Sequence, residues 1–274
     1  MQQTLPMQRE IGAPRVVRAP WAPLGGLQWA GLPAAIMGLL LLWQALVSLG
    51  GYRPFILPGP ALVAERFAAA AQSGLLWKHT AATLLVALGG FGLALVVGLS
   101  LGYVLAHLPW LERATAPVLA ASQAIPVVAV APLIILWFGP GLIGKLLIAA
   151  LITFLPVLIS TVVALRSIPR ELREMALISG ANRWQMLRHV EAPLSLPVLF
   201  GGVRTGLALA TTGAVVGEFV AGREGLGALI NIARGLFDTP LIFVALITLA
   251  AITLCLYLTA SLLERALVRW ELGS

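Results

Sequence analysis

Long charge-free apolar runs dominate this chain. Between Arg18 and Arg53 no residue carries a formal charge, and the apolar heart of that stretch covers 29–50. Further charge-free runs extend from Thr80 to Leu111, from Ala114 to Gly144, between Lys145 and Arg166, and from Thr239 to Leu263. A helix needs about 20 apolar residues to cross a bilayer. The pattern therefore predicts spans near 29–50, 81–107, 116–137, 146–165 and 239–263. A further span near 196–220 is less clean, because it holds Arg204 and Glu218. The expected fold class is an all-α polytopic membrane protein with six transmembrane helices. The first 27 residues, with Pro6, Pro14, Pro20 and Pro23, read as a basic tail, which leaves 28–274 as the membrane domain. The apolar stretch at 29–50 exceeds the roughly 7–15 residues of a signal-peptide core, so it reads as a retained helix.

Composition removes the alternatives. The chain is 59% hydrophobic and 11% charged. A soluble domain runs about 45–50% apolar and about 25% charged, and a disordered chain departs in the opposite sense. The single cysteine, Cys255, excludes a disulfide framework or a Cys-based metal site within one chain. His79, His107 and His189 lack ligand spacing, so no metal, cofactor or catalytic group is expected. A net charge of +7 then reads first as orientation and lipid contact, and only second as a nucleic-acid footprint; no nucleic-acid partner is expected.

Orientation follows from the basic residues. With both termini in the cytoplasm, that side holds Arg9, Arg15, Arg18, Arg113, Arg166, Arg170, Arg173, Arg183, Arg188, Arg265 and Arg269, eleven in all. The opposite side holds Arg53, Arg66, Lys78, Lys145, Arg223 and Arg234, which is six. Eleven against six favours termini inside. Trp29, Trp77, Trp110, Trp137 and Trp270 fall at span ends, where an amphipathic ring prefers the interface.

One long loop on the cytoplasmic side, 166–194, is too charged for lipid. Pro169 suits a first helical position, with Glu171 and Glu174 near the positive end of the helix dipole. Gly180 is a stop signal, and Asn182 suits the cap of a second helix running to about Val190. Two short helices with a glycine elbow are expected. Leu172, Met175, Ala176, Leu187 and Val190 are expected to face the membrane domain. The loop is either an amphipathic surface segment or a docking element for a cytosolic partner.

The loop resembles a known signature. Glu174-Met175-Ala176, three residues, Gly180, nine residues, then Val190-Glu191-Ala192-Pro193 is similar to the E-A-A…G…I-x-L-P motif. That motif marks the membrane subunits of bacterial ATP-binding-cassette importers. Met175, Val190 and Ala192 depart from it conservatively. Other elements resemble the subgroup for sulfonates, taurine, nitrate and pyrimidine or riboflavin-type vitamins. These are Leu57-Pro58-Gly59-Pro60, His79-Thr80, Thr83-Leu84, Ile125-Pro126, Ala131-Pro132-Leu133, Leu136-Trp137-Phe138-Gly139, Gly217-Glu218-Phe219 and Gly225-Leu226-Gly227. Leu236-Phe237-Asp238-Thr239-Pro240 resembles the pyrimidine and riboflavin branch more than the sulfonate branch.

The resemblance covers roughly 30–270 and implies a type I (MetI-like) importer permease fold in a bacterial inner membrane. It also implies a homodimer, two cytosolic ATPase subunits and a periplasmic binding protein that delivers a small organic nutrient. Glu174, Ala176, Gly180, Ala181, Arg183 and Pro193 would then form the ATPase-coupling surface. The chain has no Gly-rich phosphate loop ending in Gly-Lys-Ser/Thr, so ATP hydrolysis is expected on a separate subunit and the chain is not expected to be an enzyme.

Several polar residues lie within predicted spans. Ser122 and Gln123 flank the break expected at Pro126; Gln123 suits either a pathway wall or a hydrogen bond between helices. Thr211 suits backbone bonding or substrate contact. Glu218 near the outer end of a span must face protein or water: it pairs with Arg223, caps the following Gly-rich turn, or lines the outer gate. Arg204 is expected to snorkel toward the inner interface. Gly98 and Gly102 form a small-residue face for helix packing, within the subunit or across a dimer seam. The segment 221–236 is expected to cap the bundle or lie flat as an outer gate. The alternative, an autonomous channel or secondary transporter, would carry ionisable relay residues at mid-span, and none of the first four spans, nor the sixth, carries one. A membrane enzyme would carry clustered acids and histidines near one interface, and no such cluster appears.

Overall fold

The computed structural model describes residues 27–268; the tail at 1–26 and Trp270 lie outside the described residues. All regular structure there is helical. Helix α1 (Leu27–Gly50) belongs to a unit separate from the rest of the described chain. The second unit, 52–268, comprises α2 (Pro60–Gln72), α3 (Leu75–His107), α4 (Pro109–Gln123), α5 (Val127–Phe138), α6 (Leu142–Arg166), α7 (Arg170–Ile178), α8 (Arg183–Met186), α9 (Ala192–Ala221), α10 (Leu226–Gly235) and α11 (Thr239–Leu267).

Five helices are long and apolar enough to cross a membrane: α1, α3, α6, the α8–α9 continuum and α11. The third expected span departs from the single helix predicted over 116–137. It is two helices, α4 and α5, bent by 94° at Ala124–Pro126. Pro126 has no N–H to donate and disfavours helical geometry at Ile125. It stands as the N-cap of α5 in an extended conformation. The 12 residues of α5 reach about 18 Å, short of the roughly 30 Å hydrocarbon core. The crossing count is six only if the bent pair is one span.

Helices outrun the charge-free runs. Lys78 lies in the first turn of α3, Lys145 in that of α6, and Glu264 and Arg265 in the last turn of α11. Long charged side chains reach the interface while their backbone stays helical. Trp77, Trp110 and Trp137 are exposed, in keeping with interfacial rings.

The core is the packing of α3 and α9 on α6. Small residues let the backbones approach. A Cβ added at Gly98 would meet Val157 at 2.8 Å, and one at Gly102 would meet Thr161 at 2.6 Å. The small-residue face of α3 is therefore an intra-subunit seam against α6. On α9, a Cβ at Gly213 would meet the Cα of Ala149 at 2.6 Å. Backbone cannot rotate away as a side chain can. Gly213→Val is therefore expected to push α9 off α6 and to destabilise the subunit by about 1–3 kcal/mol or more. Thermal unfolding in detergent checks this; an unchanged midpoint would contradict the packing.

Arg204 does not simply snorkel. Its guanidinium pairs with Glu264 of α11 at 3.0 Å and lies over the Tyr257 ring at 5.9 Å to the centroid. A partner on the neighbouring helix stabilises the charge where the sequence offered only a route to the interface.

Candidate functional site

The loop at 166–194 folds as a helix, an elbow and a second helix. Helix α7 follows Pro169, which sits at the N-cap and not at the first helical position. At its end Gly180 N–H donates to Leu177 O and Ala181 N–H to Ala176 O, both at 3.0 Å. This double bond pattern is a Schellman motif, which requires a left-handed residue. Gly180 supplies it, at φ +80°. Asn182 and Gln185 then exchange side chain-to-backbone bonds at 2.8 and 2.9 Å, a capping box. The second helix does not stop near Val190. It passes through a π turn, Leu187–Glu191, into α9, so elbow and span are continuous.

Of the side chains expected to face the membrane domain, Ala176, Leu187 and Val190 are half-buried, whereas Leu172 and Met175 are exposed, as are Leu177, Ile178 and Trp184. Met175 is 64% exposed, Leu177 61%, Ile178 88% and Trp184 64%. Leu172 and Met175 border a groove of about 370 Å³ with His189, Val190, Pro193 and Leu194. Glu174 is exposed and pairs with Arg170 at 2.7 Å, Arg183 is exposed, and Ala176, Ala181 and Pro193 are half-buried. No heavy atom lies within 4 Å of where a Cβ on Gly180 would stand. The elbow is thus a free convex tip with an apolar collar. An exposed apolar patch of this kind marks a protein or membrane interaction site.

Beneath the loop lies a charged group that sequence reading missed. Glu191, 1% exposed, lies 3.0 Å from His107 Nε2 and 3.4 Å from Arg173. Arg173 also donates to Leu165 O at 2.7 Å. The motif treats the Glu191 position as any residue, and His107 lies 84 residues away, so no spacing linked them.

At the break between α4 and α5, Ser122, Gln123 and Ile125 line a cavity of about 320 Å³ with Leu151, Pro156 and Ile159. Pro126 caps α5 beside it. Ser122 Oγ donates to Leu119 O at 2.8 Å, and Gln123 is exposed. Thr211 and Glu218 do not line that cavity. Thr211 Oγ1 bonds Ala208 O and Thr253 Oγ1, both at 2.8 Å, tying α9 to α11.

Glu218 is fully buried near the C-terminal end of α9. Its Oε2 accepts from Gly227 N–H at 2.8 Å and from Thr83 Oγ1 at 3.1 Å. Thr83 Oγ1 in turn accepts from Leu226 N–H at 2.8 Å, and His79 Nδ1 lies 2.7 Å from Gly225 O. Two of the orphan N–H groups at the start of α10 are thereby satisfied, and a carboxylate meets the positive end of its dipole. Of the alternatives for Glu218, the geometry matches a cap on the Gly-rich turn. Helix α10 buries Leu226, Leu229, Ile230 and Ala233 against the bundle. Its far end is fastened where Asp238 caps α11 and pairs with Arg66 at 2.6 Å. Nearby, a hydrogen bond from Lys78 and its charge hold the Glu224 carboxyl below the usual carboxylate range. Among the described residues no His, Cys, Asp or Glu cluster could hold a metal ion.

The fold is thus a helical membrane bundle with a free, capped elbow and a clamped amphipathic helix. Residues 94–271 match the model of the binding-protein-dependent transport system inner membrane component family, and the chain belongs to that family. It is 74% identical over 274 residues to the riboflavin transport system permease protein RibX of Chloroflexus aurantiacus, covering 99% of each chain. It is 32% identical over 233 residues to the formylaminopyrimidine transport permease protein ThiX of Halalkalibacterium halodurans, covering 85% of this chain and 92% of that one. It is 35% identical over 235 residues to the putative aliphatic sulfonates transport permease protein SsuC of Escherichia coli, covering 86% and 89%. In structure it is similar to a chain of the MetNI methionine ABC transporter in an inward-facing conformation, with a TM-score of 0.60 at 21% identity, over 68% of this chain and 93% of that one. The chain is a membrane-embedded importer permease of MetI-like fold, and the family implies an ATPase and a binding protein as partners.

Proposed function

We propose that this permease carries riboflavin, or a close heteroaromatic vitamin precursor, inward through a homodimer driven by two cytosolic ATPase subunits. The observation that supports the substrate is the 74% identity, end to end, to a riboflavin permease. Sulfonate and pyrimidine-precursor permeases stand at 35% and 32%. The elbow at Gly180 and its collar of Met175, Leu177, Ile178 and Trp184 form the surface that seats in a cleft on the ATPase, with Glu174, Ala176, Ala181, Arg183 and Pro193 shaping it. Ser122, Gln123 and Pro126 line the path beside the α4–α5 break. Thr211 and Glu218 hold helices in place and do not touch substrate; α10 is the outer gate that Glu218 fastens. Both termini and the loop at 166–194 face the cytosol.

The test of substrate is uptake. A riboflavin-requiring cell without its own importer receives the permease with its ATPase and binding protein. Saturable, ATP-dependent uptake of labelled riboflavin is expected. Uptake of taurine or formylaminopyrimidine in its place would overturn the substrate assignment. Orientation has a separate test. An export-dependent reporter fused at Asn182 is expected to be silent, and one at Arg223 active; the reverse pattern would invert the topology.

A further inference from the structure

The coupling reading uses the outer surface of the loop and leaves the charged group beneath it without a role. Glu191 is the only acidic side chain in that group, and its carboxylate is 2% exposed. A buried carboxylate is costly unless paired, and breaking one partner is strongly felt. Its partners come from different elements. Arg173 belongs to α7, the helix that leads to the elbow, and His107 ends α3. Arg173 also holds Leu165 O, at the end of α6. Glu191 itself closes the π turn that opens α9. Glu191 and Arg173 together therefore tie α7 to α3, α6 and α9, the three helices that form the core.

The π turn adds to this. A π turn holds one residue more than an α turn and occurs mostly as a single turn, often at functional positions. Here it lies between the capped elbow and span α9. The chain from Asn182 to Ala221 is otherwise a continuous helical rod. Glu191 stands at the point where that rod departs from α geometry, with the Tyr103 hydroxyl of α3 beside its carboxyl group.

Resting on the coupling-loop reading, we propose that Glu191 is a positioning residue that passes movement of α7 to α3, α6 and α9 together. The Arg173–Glu191–His107 chain is the joint. The surface signature supplies docking; this joint supplies transmission. Docking and transmission are separable, because Glu191 is buried and the docking surface is not.

The test uses the complete complex of permease, ATPase and binding protein in lipid nanodiscs or vesicles. Glu191→Gln keeps the size and an acceptor oxygen and removes the charge. It is expected to retain the ATPase subunit and basal hydrolysis, and to lower substrate uptake per ATP hydrolysed about tenfold. His107→Gln, at the more exposed rim of the joint, is expected to lower the same ratio severalfold. The double variant Arg173→Gln, Glu191→Gln is expected to be no worse than Glu191→Gln alone, since residues in one network are not additive. Wild-type uptake per ATP in both Glu191→Gln and His107→Gln would overturn the proposal. So would loss of the ATPase subunit from Glu191→Gln, which would make Glu191 part of docking. Failure of the underlying reading has a different signature: full ATPase retention and uptake when the elbow itself is altered at Gly180.

Discussion

Gly180→Arg is expected to reach the membrane at normal levels, to lose the ATPase subunit, and to show little or no uptake. Two independent facts set that expectation. The elbow projects into open space, so a long side chain meets nothing within the subunit. The left-handed φ of +80° makes any side chain strained by only about 1–2 kcal/mol. The subunit is therefore expected to tolerate the change, because its core lies elsewhere, between α3, α6 and α9. A cleft shaped for a bare glycine turn would not tolerate it. Gly180→Ala separates the two contributions, since it brings the strain with almost none of the bulk. It is expected to keep partial ATPase binding and part of the uptake. Affinity capture of the ATPase with the tagged permease, alongside uptake, reads both. Wild-type retention and uptake in Gly180→Arg would remove the docking role of the loop.

The second large effect is expected at the end of the bundle opposite the elbow, where Glu218 caps α10. Gly225→Leu is expected to abolish uptake and to lower the thermal midpoint. Gly225 lies at φ +114°, and a Cβ there would overlap the Glu218 carboxyl group. Nothing at that point can yield cheaply, because Glu218 is fully buried and bonded to Gly227 and Thr83. The start of α10 must then lift from the bundle. Glu218 itself gives the control. Glu218→Gln keeps an oxygen to accept from Gly227 N–H, so it is expected to fold and transport nearly as wild type. Glu218→Leu leaves the Gly227 donor unpaired in a buried site, at about 1–3 kcal/mol. It is expected to lose stability and uptake together. A Glu218→Gln variant of normal stability with altered substrate affinity would contradict the clamp role and return the residue to the pathway.

The parts of this molecule that sequence conveyed are those governed by local chemistry. Charge-free length located the long helices, because lipid excludes charge over a fixed thickness. Glycine at a helix end and Asn182 as the next cap gave the elbow, because caps are local. The α4–α5 bend was less legible: a run of apolar residues across Pro126 has the composition of one span, and the bend of 94° depends on what packs around it. Arg204 showed the same limit, since its partner Glu264 is 60 residues away in sequence and one helix away in space. Helix α2 gave no charge-free signal, because it is amphipathic and short; Pro60 at its first turn is its only local mark. Glu191 was hidden twice, by a motif that ignores its position and by a partner on another span. Glu218 was singled out by its cost in a membrane, and only the position of Gly227 revealed what satisfies it.

The most direct measurement is site-specific cross-linking in the assembled importer. A photoreactive residue placed at Ile178, the most exposed apolar position of the elbow, is compared with one at Phe237 on the outer side. If the loop at 166–194 is the ATPase-coupling surface, the Ile178 probe cross-links to the ATPase subunit in intact complex and the Phe237 probe does not. An Ile178 probe that leaves a bound ATPase unlabelled, with cross-links forming from Phe237, would contradict both the docking role and the orientation of the chain.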